Sequence, residues 1–251
     1  MKRSILILLL IVLFCPGSFP QGGGFEIEAG TGTYSMHGLK SLNRIIKIEI
    51  PFDTKIVASF PPWLNYAFYA KLRMKNTCLG VVYSFQTTGS RISGKDYSGE
   101  YYFDFTVNGH APGIYGEYYF SSDSRIKYSI TSTVGIIFTG LKMHEYFNLL
   151  DQQIIDENYL YKSRNLFYEP GFMVTYPFRS VKLGVRAGYL FQFGEGSFKN
   201  REEPDLMLVN PYSGEAVKPG WSGIRAGLSV GWYFGGKPDV SGKSGSVVSG
   251  K

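Results

Sequence analysis

The chain is short of cysteine, of charge and of long apolar runs, and each shortage excludes something. Of its two cysteines, Cys15 follows an N-terminal apolar leader, so a mature chain would keep Cys78 alone and has no disulfide framework. Charged residues make up only 18% and the formal net charge is +6, with no Lys/Arg block of the kind that tracks nucleic acid. The longest apolar run, Ile5–Phe14, is ten residues, whereas a transmembrane helix needs roughly 20. The three histidines, His37, His110 and His144, lack the close spacing of a metal site, and no glycine-rich phosphate loop opens a helix. No metal and no cofactor are expected. The best base candidate, His144-Glu145, has no serine and acid in a recognisable motif around it, so no enzyme is expected either.

What the sequence does have is aromatic content, at 16% with 19 Tyr and 19 Phe, and strict alternation. In Gly223–Phe234, Ile224, Ala226, Leu228, Val230, Trp232 and Phe234 share one face, while Arg225, Ser229 and glycines share the other. A period of two is a strand between two different media. A long aromatic stripe backed by charges and glycines is the pattern of a strand with lipid outside and a polar lumen inside. A soluble lipocalin-like barrel would invert the faces, and stripes such as Val181, Leu183, Val185, Tyr189, Phe191 and Phe193 are too bulky to fill its small cavity.

Eight such segments follow in order: Phe25–Met36, Trp63–Met74, Cys78–Thr88, Tyr101–Phe120, Arg125–Thr139, Leu166–Phe178, Val181–Gly194 and Gly223–Phe234. Tight turns at Lys75–Thr77, Ser121–Ser124 and Arg179–Ser180 alternate with long loops at His37–Pro62, Gly89–Glu100, Gly140–Ser163 and Glu195–Gly220. Short periplasmic turns and long extracellular loops are the asymmetry of outer-membrane barrels. The fold class is therefore all-β: an eight-stranded antiparallel transmembrane up-and-down β-barrel in the cell outer membrane. Residues 1–21 are expected to be a signal peptide, 22–234 the barrel, and 235–251 a flexible periplasmic tail too rich in Gly, Ser and Lys to order itself.

Two details stand out. The stripe of Tyr101–Phe120 changes parity around Asn108–Gly113, which predicts a bulge there. Leu39–Ile48 and Leu141–Leu160 carry helical spacing inside two of the long loops, the second less cleanly.

The opening Phe25–Met36, the stretch Asp96–Glu100 and the closing, aromatic-ended Gly223–Phe234 together resemble the small outer-membrane barrels of the OmpX, OmpW and OmpA-barrel kind, in particular the Bacteroidota PorT-like proteins. The resemblance implies an outer-membrane barrel recognised by the barrel-assembly machinery, with lipid as its surroundings and a protein partner at the extracellular loops; a monomer is expected. The expected function, with no catalytic motif in the sequence, is a non-enzymatic role in envelope structure or loop-mediated surface binding. A secretion or assembly accessory is the alternative, and a lipid-modifying enzyme a weaker one.

The inward face carries Glu26, Glu28, Lys71, Arg73, Glu117, Arg125, Lys127, Glu169, Lys182, Arg186 and Arg225. Closing the barrel pairs the first and last strands, which is expected to set Glu26 and Glu28 beside Arg225, with Lys182 and Arg186 one strand further round. Eight strands enclose just enough room for side chains, so a structural charge plug of Glu26, Glu28, Lys182, Arg186 and Arg225 is expected rather than a pore.

Overall fold

The computed structural model describes residues 22–50, 53–95, 97, 99–120, 126–150, 152–178 and 181–234. The expected signal peptide and tail lie outside these residues, as do Asp96, Ser98 and Arg125. The elements are β1 (Gly22–Gly32), α1 (His37–Glu49), β2 (Lys55–Ser59), β3 (Trp63–Arg73), β4 (Thr77–Lys95), β5 (Gly99–Tyr119), β6 (Lys127–Leu149), β7 (Gln152–Phe178), β8 (Val181–Phe193), β9 (Lys199–Asn200) and β10 (Gly223–Phe234). Eight strands close a ring in the order β1–β3–β4–β5–β6–β7–β8–β10, every pair antiparallel. The seam between β1 and β10 runs from Gly23↔Phe234 to Gly32↔Arg225. The short β2 extends the sheet beside the far end of β4, and β9 pairs with β7 beyond the end of β8.

Alternation sorts the side chains as the sequence pattern requires. Phe25, Ile27, Phe68, Val81, Ile114, Ile130, Val185 and Leu228 stand exposed on the outer wall. On β6 this apolar belt runs from Tyr128 to Phe138, which at about 3.3 Å per residue and a tilt near 40° spans roughly 25 Å of hydrocarbon. No helix among the described residues is long and apolar enough to cross a membrane; the strands do so instead.

The expected bulge in β5 is absent. Its register with β4 runs unbroken from Thr77↔Tyr118 to Lys95↔Glu100, so odd-numbered residues face inward throughout. Tyr115, Glu117 and Tyr119 are buried in the half facing the short turns, and Tyr101, Phe103, Phe105 and Val107 in the half facing the long connections. The backbone keeps its phase while the surroundings change. Within the belt the outer face is apolar; beyond it the outer face meets water and the inner face becomes the apolar one.

The same extension corrects two expected loops. Gly89–Glu100 and Gly140–Ser163 are mostly continuations of the β4–β5 and β6–β7 hairpins, paired residue by residue. The helical spacing of Leu141–Leu160 is therefore coincidental, because cross-strand pairing decides these residues. The spacing in Leu39–Ile48 does mark a helix, α1. Its first cap is Met36 in the left-handed region (φ 42°) with no side-chain cap. The strain is held by full burial of Met36 and by its N–H donating to Gly220 O at 3.0 Å. Leu39, Leu42 and Ile45 turn into the barrel mouth, each contributing about 1.5–3 kcal/mol of burial. Asn43 Nδ2 donates to Ser90 Oγ at 2.7 Å and ties the helix to β4.

Candidate functional site

The interior has two layers of opposite chemistry. Toward the short turns, four carboxylates (Glu26, Glu28, Glu117, Glu169) and four cations (Lys71, Lys182, Arg186, Arg225) are buried together. Formal charges cancel, as burial demands: an unpaired ion in a low dielectric is costly.

These residues form two groups rather than one. In the first, Lys71 Nζ lies 2.9 Å from Glu26 Oε2 and 3.7 Å from Glu117 Oε2, and Lys182 Nζ lies 3.3 Å from Glu117 Oε1. Ser129 donates to Glu117 at 2.7 Å, Tyr233 to Glu26 at 3.2 Å, and Lys182 to Tyr119 Oη at 3.0 Å. The Lys71 ammonium sits over the rings of Tyr69 and Tyr115, at 4.6 and 4.2 Å. In the second group, Arg186 bridges Glu28 (3.4 Å) and Glu169, while the Tyr69 hydroxyl accepts from Arg186 and donates to Glu28 at 3.0 Å.

Arg225 departs from the sequence expectation. The seam does close as β1 against β10, but Arg225 faces Gly32, whereas Glu28 faces Ser229 and Glu26 faces Gly231. The register therefore sets Arg225 in a different layer, without an ion pair among the described residues. Its guanidinium lies 5.4 Å from the Tyr34 ring, and its Nε and Nη2 have no hydrogen-bond partner among the described residues. The tyrosines are an unexpected part of the network. Tyr69, Tyr115, Tyr119 and Tyr233 supply much of the hydrogen bonding, and their inward parity was the signal. Glycines make room at two places: a Cβ at Gly227 would lie 2.7 Å from Glu28 Oε1, and one at Gly231 3.3 Å from Glu26 Oε2.

Toward the long connections the lumen is apolar. Trp221, Phe105, Phe167, Phe198, Ile137 and Leu141 pack with Leu39 and Leu42 of α1 into one core. Trp221 is fully buried, meets Tyr34 edge-on at 5.0 Å, and donates through Nε1 to Thr139 Oγ1 at 2.9 Å. An apolar layer of side chains and a helix thus lies between the charged layer and the loop end.

Outside the belt, the hairpin extensions carry cross-strand pairs. Arg91 lies 2.5 Å from Asp104, whose carboxylate holds the guanidinium proton above its ordinary range. His144 Nε2 lies 2.8 Å from Asp156, not beside Glu145, which alternation turns to the opposite face to accept from Tyr101 at 3.1 Å. His144, the best base candidate in the sequence, is thus partnered by Asp156 and not by its neighbour Glu145. Tyr159 donates to Glu157, a bond that pushes its phenol up to about 12. Among the described residues no group of three His, Cys, Asp or Glu converges as a metal site.

A closed ring of eight strands with an apolar outer belt defines the class: an integral β-barrel membrane protein of the outer-membrane type. No protein-family profile and no curated protein matches the chain. Solved structures of similar shape include Neisserial surface protein A, 13% identical, covering 86% of this chain and 97% of that one at a TM-score of 0.37. Others are the attachment invasion locus protein Ail of Yersinia pestis, in complex with the heparin analogue sucrose octasulfate (12% identical, 84% and 99% covered, TM-score 0.39), and a major outer membrane protein of Thermus thermophilus (11%, 84% and 99%, TM-score 0.47). The class rests on the ring and its belt and not on these distant likenesses.

Proposed function

We propose that this protein is a non-enzymatic integral barrel of the outer membrane, closed to solutes, with its short turns in the periplasm and its extended hairpins outside as a binding surface. The observation that supports the reading is the set of buried inward side chains, mostly charge-paired in one half and apolar in the other. What is left to work with is the loop-end platform of α1, β2, the β4–β7 extensions and segment 194–222. Outer-membrane lipid surrounds the belt, and the barrel-assembly machinery reads the aromatic-ended β10.

Planar-bilayer recording of the purified barrel tests closure. No discrete conductance is expected; a stable open channel would overturn it. Lipid A mass spectra should be the same with and without the gene, and a missing acyl or headgroup modification would replace the binding role by an enzymatic one. A second reading, the secretion or assembly accessory of PorT-like barrels, draws support from one feature. Among the described residues, Gln152–Tyr159 of β7 pairs only with β6, which leaves a free edge for an added strand.

A further inference from the structure

The cations just beyond the belt are unevenly provided for. Around β4, β5 and the tip of β6 they have partners: Arg91 with Asp104, Lys95 with Glu100, His144 with Asp156. On the wall made by β6, β7 and β9 they do not. Lys142, Lys162, Arg164, Lys199 and Arg201 are all exposed there and line one open groove of about 760 Å³. None of the five has an ion pair among the described residues. The carboxylate in that groove, Glu195, is taken by Lys218.

Register fixes the height and the face of this cluster. Arg164 pairs with Phe138, Lys162 with Gly140 and with Lys199, and Lys142 with Leu160. Parity turns these residues outward, Arg164 in the row of Phe138 and the others in the rows beyond it, next to the lipid-facing belt. The Arg164 guanidinium stands 5.7 Å from the Phe138 ring, one end in the apolar belt and the other at the headgroup level. Phe138 and Leu160 also line the groove. A soluble anion would have no use for that apolar border; an anion carried on acyl chains would lie along it.

We propose that this groove binds the headgroup of an anionic lipid of the loop-side leaflet, one bearing more than one phosphate. Five unpaired cations call for a polyanion, since a single phosphodiester would leave most of them uncompensated. Arg and Lys supply the charge-assisted hydrogen bonds, and the belt below holds the chains. The inference rests on the membrane assignment above and goes beyond it by giving one sector of the wall a ligand.

Wild-type protein in phosphatidylcholine nanodiscs, titrated with bisphosphorylated lipid A and followed by native mass spectrometry, tests it. A one-to-one lipid A adduct is expected. The triple variant K142Q/K162Q/R164Q should bind about a hundredfold more weakly. The variant R91Q/K95Q, which removes paired cations of the β4–β5 extension outside the groove, should bind as wild type does. Heat-modifiable gel mobility checks that both variants fold. Equal adducts in both variants, no preference over phosphatidylcholine, or binding of soluble inositol hexakisphosphate in place of the lipid would each overturn the proposal alone. Failure of the wild type to enter the bilayer would overturn the membrane assignment and this proposal with it.

Discussion

Lys71 Nζ lies 2.9 Å from Glu26 Oε2 across the β1–β3 pair, and both side chains are sealed from solvent. Neither ion is tolerable there without the other. Glu26→Gln or Lys71→Met alone should cost about 3–5 kcal/mol, because each strands a buried charge. The double substitution should recover much of that loss. Urea unfolding of the barrel in lipid vesicles measures all three, and simple additivity of the two single losses would refute the coupling.

Arg186 and Arg225 are both buried arginines, yet they should respond differently. Arg186→Met leaves Glu28 and Glu169 without their cation, a loss of about 3–5 kcal/mol. Arg225 has no ion pair among the described residues and two unpartnered nitrogens, so Arg225→Met should cost less, by about 2 kcal/mol. The order of the two unfolding midpoints decides the matter; the reverse order would place the essential charge at Arg225.

The apolar layer should come apart separately from the charged one. Trp221→Ala removes the centre of the loop-end core and should cost about 3–5 kcal/mol; Thr139→Val, which removes only the hydrogen-bond acceptor, about 1–2 kcal/mol. Hydrogen exchange should show lost protection in α1 and segment 194–222, with β8 and β10 unchanged within the belt. Uniform loss around the ring would mean that the two layers are one cooperative unit.

Tyr159 gives a signature in alkali. Its bond to Glu157 raises the folded phenol from about 10 to about 12. A raised value means that the protonated form is held by the fold. Its contribution is intact below about pH 10 and lost as the pH rises through about 12. The phenolate absorbance missing from Tyr159→Phe should accordingly titrate near the higher value. A difference titrating near 10 would show that Glu157 does not hold the phenol.

Most of the ring was legible because a strand between lipid and lumen has a fixed medium on each face. Ile224 through Phe234, or Val181 through Phe193, could hardly be anything else. Legibility failed where that condition failed. Above the belt, Tyr101–Val107 look out of phase only if lipid is assumed to continue; the inner core they join is built from distant connections that no local pattern reveals. The hairpin extensions were hidden for the same reason, since water outside and a core inside suit many polar sequences. The inward charges were visible by parity, but their partners depend on stagger between strands. That stagger sets Glu26 against Lys71 and leaves Arg225 over Tyr34.

The apolar mouth also gives the molecule a direction. Its side chains come from four separate connections, represented by Leu39, Ile92, Leu141 and Trp221. With the long connections outside, as proposed above, each must cross the bilayer before any can meet the others. In transit those apolar residues are at ease among acyl chains; on arrival they stand in water until they find one another. The mouth can therefore form only on the far side. Once formed, it opposes the return of every connection that built it, and so acts as the catch that makes insertion run one way.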